Sequence, residues 1–425
     1  MTPAWMLRWV KAEPHEAVPL RWAFAYFFCL LCGYYMLRPV RDEMAIEGGL
    51  HHLPWMMTGT FLTLVAATPV FGWVSGRLSR YRLLLSVYGF FACHLVLFFV
   101  AMTAGWHPDW VARVFFVWLS VFNLFVVSVF WSFMADLFTP EQGTRIFGVI
   151  AAGGSTGAIV GPLLTAGVTM VGPIALLMVL SVLWLGACCV CIHRLDRWAS
   201  TQPQRGPSAE GRSLGGGIWA GVQLVGASPY LLGICAYVVM LTMSATVLYV
   251  EQTTAVSRAI SSPEERTRLF AGIDLVVNLL TCLAQVWVTN RLVLRFGLAA
   301  ALMCLPAVSA VGFLALGMSQ VLPLFIGFTV LRRVGEYAIA KPAREVLFTV
   351  VSREEKYKAK NVIDTAVSRG GDASTGWAVS GLKAVGATTA HLAWLMVPIM
   401  VVWAWVGWAL ARREAQVQRK PVVQA

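Results

Sequence analysis

Tyr34, Arg38 and Arg41 fall at i, i+4 and i+7, which puts them on one face of a helix. Two guanidiniums beside a tyrosine can grip an anionic or aromatic ligand by bidentate hydrogen bonds and stacking. The plainer alternative is that Arg41, Asp42 and Glu43 form a solvated helix end. Pro39, between the two arginines, is expected to bend the helix and free backbone groups. Arg333, Tyr337, Lys341 and Arg344 follow one face in the same way, with Arg332 and Glu336 as an i, i+4 pair beside them. The run SREEKYKAKNVID that follows carries Lys356, Lys358 and Lys360, which either guard the inner mouth of an anion path or anchor a loop in the cytoplasm. Glu251 and Asp274 are acids inside apolar segments, able to relay protons, hold a cation or pair with a nearby arginine to close a gate; pairing is the commoner arrangement.

Other patterns are set aside. Gly153-Gly154-Ser155-Thr156-Gly157 fits the nucleophile-elbow spacing but lacks a strand before it, and close helix packing explains the same glycines. Gly157, Gly161 and Pro162 read as a small-residue seam with a bend. Cys29 and Cys32 have redox or metal spacing without a second pair or a nearby histidine, so packing accounts for them. The sequence contains no phosphate-binding G-x-x-x-x-G-K-[ST] and no H-E-x-x-H. No enzyme activity, cofactor or metal is expected.

The elements that must position these residues follow from composition. Of 425 residues 58% are hydrophobic and 13% charged, about half the charge of a soluble domain, and the mean hydropathy is +0.70. That excludes an ordinary soluble protein and implies an all-α polytopic chain in the lipid bilayer. Its net charge of +12 sits between apolar segments rather than on one water-facing surface, so nucleic acid is not expected as a partner.

About twelve spans are predicted: 20–37, 55–75, 83–102, 110–134, 146–171 and 173–192, then 227–250, 269–290, 298–317, 321–340, 361–384 and 393–410. They divide the chain into a six-helix half 1–192, a basic Gly/Pro/Ser-rich linker 193–217 and a second half 218–425. Cations concentrate at one set of breaks: Arg8 and Lys11; Arg77, Arg80 and Arg82; Arg194, Arg197, Arg205 and Arg212; Arg412, Arg413, Arg419 and Lys420. Both termini are therefore expected in the cytoplasm. The glycine run at 153–157 with Gly161 recurs at 370–376 with Gly381, and the basic break at 76–80 recurs at 290–295, as in an internal repeat. The third, sixth, ninth and twelfth spans hold no Asp, Glu, Lys or Arg and are expected to face lipid, while the charged first, seventh, eighth, tenth and eleventh surround an aqueous cavity.

This layout resembles the major facilitator superfamily over almost the whole chain. Gly72, Gly76, Arg77 and Arg80 resemble its loop motif with glycine in place of the usual acid, and Gly157-x-x-x-Gly161-Pro162 resembles its fifth-helix antiporter motif. More narrowly, the segments 33–42, 249–251 and 356–364 resemble the ATP/ADP translocase family of plastids and intracellular bacteria. The resemblance implies a cationic substrate residue at Arg41, the family's seventh-helix acid at Glu251 and its late lysine at Lys358 or Lys360; at 119–123, where that family carries an acid, this chain has none. The expectation is an alternating-access secondary transporter of a bacterial inner membrane, a monomer that exchanges organic anions such as ATP and ADP. Arg38, Arg41 and the cations of the tenth and eleventh helices would bind the anion, and an unpaired cation cluster would favour exchange over net flux. A proton-coupled exporter using Asp274 or Glu251, or a transporter-like sensor without flux, are the alternatives.

Overall fold

A computed structural model describes residues 16–75, 77–201 and 218–419. Arg8, Lys11, Gly76, Arg205, Arg212 and Lys420 lie outside the described residues. Among those described, ten helices are long and apolar enough to cross a bilayer. Two further helical runs, 322–347 and 353–384, are each interrupted by a π turn and complete the set.

We number these runs along the chain. In the first half they are α1 (Ala17–Glu47), α2 (Leu53–Ser75), α3 (Arg80–Thr103), α4 (Pro108–Leu137), α5 (Pro140–Val171) and α6 (Leu176–Ser200). A short helix, Ile218–Ala227, precedes α7 (Pro229–Ala259) and α8 (Pro263–Ala284), which continues through a π turn at Gln285–Thr289. Gly297, with φ of 77°, breaks the next run, Asn290–Met318, and the part beyond it is α9. Next, α10 covers 322–347 with its π turn at Glu336–Ala340, and α11 covers 353–384 with its π turn at Ile363–Val367. The last is α12 (Thr389–Arg419). A chain that must bond every backbone group internally in lipid has few other options.

Local chemistry explains where helices begin. Thr139 caps α5 in a full capping box with Gln142, ahead of Pro140; Ser228 caps α7 ahead of Pro229. The helix α1 runs through Pro39 to Glu47, so Arg41, Asp42 and Glu43 are not a solvated end: Asp42 is 7% exposed and Glu43 is fully buried. Residues 193–200, within the stretch read as linker, continue α6.

Two compact units emerge. The first gathers the described residues of Met1–Gly48, Ala66–Arg212 and Ser261–Leu275; the second those of Gly49–Val65, Ser213–Ile260 and Val276–Ala425. The first half of α8 thus packs in unit 1, and the first part of α2 in unit 2.

In unit 1 the interior is aromatic. Tyr26 shares a hydroxyl hydrogen bond with Tyr88 and meets Phe130 edge-on at 4.8 Å, while Phe27 stacks on Phe130 at 4.2 Å. Glycines of α5 bring its backbone against α1: a Cβ on Gly157 would stand 2.4 Å from the Phe28 carbonyl oxygen, and one on Gly161 2.7 Å from that of Cys32. In unit 2, α7 packs on α11 and α12 and is half buried over its most apolar stretch. Large apolar side chains are exposed on α3, α6, α9 and α12, among them Leu97, Leu183, Val311 and Trp405, and equally on α2 and α8, with Leu62 and Leu279.

Candidate functional site

The cations of unit 2 sit around two π turns. A π turn widens the helix by one residue and leaves backbone groups in search of partners, which is why such turns cluster at functional positions. Gln285, in the π turn of α8, donates to the carbonyl oxygen of Tyr337 in the π turn of α10 at 3.4 Å. On α10, Arg332 pairs with Glu336 at 2.7 Å, the i, i+4 arrangement read from spacing. Arg344 reaches across to Asp364, in the π turn of α11, at 3.0 Å. Lys360 pairs with Glu345 at 2.5 Å and lies 6.0 Å from the Phe348 ring centre. Lys341 is exposed and makes no ion pair among the described residues; Arg333 and Lys358 are half-buried nearby in sequence.

Further along α11, Arg369 holds Asp372 at 3.2 Å and the Thr246 hydroxyl of α7 donates to the same carboxylate at 2.9 Å. Glu251, 4% exposed, forms an ion pair with Lys383 at 2.6 Å and accepts from the Thr389 hydroxyl at 2.5 Å. This is the pairing arrangement, but with a lysine rather than an arginine.

Unit 1 holds the rest. Arg38 forms an ion pair with Asp274 at 3.7 Å, and Asp274 is 1% exposed. Arg41 pairs with its neighbour Asp42 at 2.9 Å and lies over the Phe116 ring at 5.2 Å. Tyr34 is not the ring beneath Arg38: that is Tyr35, 5.6 Å from the guanidinium carbon, with Tyr34 packed edge-on against Tyr35 at 5.1 Å. Positions 34, 38 and 41 share a face of the continuous α1, and the ring that meets Arg38 is the one at i, i+3.

The premise of unpaired cations fails at Arg38, Arg41, Arg344 and Lys360. A lone charge in a low-dielectric interior is costly, and each of these has a carboxylate beside it. Two partnerships were missed in the sequence. Glu43 is fully buried and pairs with Arg266 at 2.7 Å, and Arg268 donates to the Thr169 carbonyl at 2.7 Å. Both arginines lie before Leu269, where the apolar run begins, but inside α8. The sequence carried the signal, since Ser262-Pro263-Glu264-Glu265 is a helix start with an N-cap, proline in the first turn and acids at the dipole.

Ten apolar spans, two charged interrupted runs and the absence of strands among the described residues define a polytopic all-α membrane protein. The Major Facilitator Superfamily model matches residues 23–263, more than half of the chain, and the protein belongs to that superfamily. Among curated proteins none matches the sequence.

Solved structures share the fold. A bacterial homolog of the human lysosomal transporter Spinster, in an inward-facing and unoccupied conformation, is 13% identical and has a TM-score of 0.60, with 97% of this chain and all of that one covered. A POT family transporter in complex with 5-aminolevulinic acid is 12% identical with a TM-score of 0.64, covering 94% of this chain and 96% of its own. The nucleoside transporter NupG is 10% identical with a TM-score of 0.61, covering 94% and 99%. A transporter of major facilitator type is the functional class these findings define.

Proposed function

We propose that the protein is a secondary active transporter of organic anions, in which six-helix halves, 1–192 and 218–425 joined by the linker 193–217, work by alternating access around a central cationic path. The observation that carries this reading is the set of cations on α10 and α11 whose partners are carboxylates: Arg344 with Asp364, Lys360 with Glu345, and exposed Lys341 close by in sequence. Cations outnumber acids along 322–384. An incoming carboxylate or phosphate can take over the fork of Arg344, a geometry suited to bidentate oxygen anions, while Asp364 turns away. The π turns give both helices a place to adjust.

Nucleotides are the anions to try first, on the resemblance carried by Arg41, Glu251, Lys358 and Lys360. Because Arg344 and Lys360 already have carboxylate partners, an empty carrier has less electrostatic reason to stay put, and obligate exchange no longer follows from charge alone. Counterflow reads both properties. Proteoliposomes loaded with ATP, ADP or phosphate are expected to accumulate labelled ADP above protein-free vesicles. Accumulation that needs internal nucleotide establishes exchange, and accumulation into empty vesicles establishes net flux. No uptake by folded protein overturns the nucleotide assignment.

A proton-coupled reading draws on Asp274, 1% exposed with its arginine at 3.7 Å. Under that reading a pH gradient drives flux and Asp274→Asn abolishes it. We further propose that the protein works as a monomer with both termini in the cytoplasm of a bacterial cell.

A further inference from the structure

Arg369 stands at the middle of α11, and its side chain is 41% exposed, against 12% for Arg344 and 5% for Arg332. It holds Asp372 at 3.2 Å and has no second ion pair or hydrogen bond among the described residues, so most of its five N–H donors are open. A charge halfway through a membrane-spanning helix is costly against lipid and is found where it faces other helices or water. The neighbours here are helices: a Cβ on Gly370 would meet Phe61 of α2 at 3.7 Å, and one on Gly371 the Thr242 hydroxyl of α7 at 2.4 Å.

Backbone geometry ties Arg369 to the Arg344 pair. In an unbroken α-helix two positions five apart diverge by about 140°. The π turn at 363–367 closes on a bond from the Ser368 N–H to the Ile363 carbonyl, so positions five apart are stacked. Arg369 therefore lies over Asp364, the acid that holds Arg344 at 3.0 Å, with a rise of about 7 Å between them. Tyr237 of α7 is acted on electrostatically by both Arg344 and Glu336, and Glu336 is near enough to Asp372 to repel it. The two arginine–carboxylate pairs thus adjoin one stretch of α7.

We propose that Arg369 is a second anion-binding residue, one turn further along α11 than the Arg344 pair, and that the transported substrates are organic anions carrying two acidic groups, one for each guanidinium. This rests on the anion reading of α10 and α11. A monoanion displaces one internal carboxylate and leaves the other pair closed, whereas a dianion replaces both.

The test is arginine labelling by phenylglyoxal on the full-length protein in proteoliposomes, read residue by residue with mass spectrometry. Arg369 is expected to react at least tenfold faster than buried Arg332. Adipate or ADP, which each carry at least two negative charges, is expected to slow labelling of Arg344 and Arg369 together by at least threefold. Hexanoate, with one carboxylate on the same chain length as adipate, leaves Arg369 unprotected. In Arg369→Gln, with melting as the check on folding, protection of Arg344 by the dianion falls to that given by hexanoate. The proposal is overturned if Arg369 reacts no faster than Arg332, if adipate and ADP protect Arg344 alone, or if hexanoate protects Arg369 as well as adipate does. If no anion protects either arginine, the anion reading falls with it, which keeps the two failures distinguishable.

Discussion

The glycine-rich segments of α5 and α11 carry nearly the same letters yet pack in different ways. In unit 1, α5 meets α1 backbone to backbone: a Cβ on Gly153, Gly157 or Gly161 would fall within 2.7 Å of a carbonyl oxygen of α1, and the Thr165 hydroxyl donates to the Met36 carbonyl at 2.8 Å. In unit 2, the hypothetical Cβ of Gly371 would stand 2.4 Å from the Thr242 hydroxyl oxygen and that of Gly376 3.0 Å from the Met57 sulfur, that of Gly370 meets the edge of Phe61 at 3.7 Å, and that of Gly381 meets nothing within 4 Å among the described residues. There the seam is made by side chains, with Thr246 and Arg369 on Asp372. Backbone contact leaves no room for adjustment, whereas polar side chains can exchange partners. The charged, π-turned helices belong to the looser unit, as expected if substrate must displace an internal partner.

The ion pairs give the widest separation between the units. Arg266→Met leaves Glu43 buried without its partner, so we expect a loss of about 3–5 kcal/mol. Lys360→Met breaks a pair whose side chains are 32% and 41% exposed, and about 0–1 kcal/mol is expected. Melting in detergent compares the two; equal losses would erase the distinction.

A second pair of variants addresses the seams. Gly157→Ala forces α5 off the Phe28 carbonyl and should cost about 1–3 kcal/mol, whereas Gly381→Ala should stay within about 0.5 kcal/mol. A silent Gly157→Ala would mean that the close approach is not what holds unit 1 together.

Smaller in stability terms but specific to function, Arg344→Gln is expected to lower anion uptake about tenfold, a change of about 1.4 kcal/mol, at unchanged melting temperature. Lys341→Gln, with no ion pair among the described residues to release, should lower it no more than about threefold. Initial rates in proteoliposomes check both.

Hydropathy located the spans because lipid imposes length and polarity on each one separately. It stopped α1 at Leu37 because the charges that follow are neutralised by residues more than two hundred positions away, Asp274 for Arg38 and Arg266 for Glu43, and no local pattern reveals such a partner. The π turns at 336–340 and 363–367 were equally hidden, since an inserted residue in a helix depends on what packs against it. The glycine repeat could be read as a repeat, but its letters could not say that one copy would meet backbone and the other side chains. At the site, Arg344 was named from its spacing and Lys360 from the basic run after it, while their carboxylate partners came only from the three-dimensional arrangement.

The central claim is that the substrate anion competes with Asp364 for Arg344. The most direct measurement is the KM for uptake of the transported anion in Asp364→Asn and Arg344→Gln, each against wild type. Competition predicts opposite shifts: a lower KM when Asp364 loses its charge and a higher one when Arg344 does. If both substitutions raise KM alike, or Arg344→Gln leaves it unchanged, the pair is a structural clasp and the anion binds elsewhere.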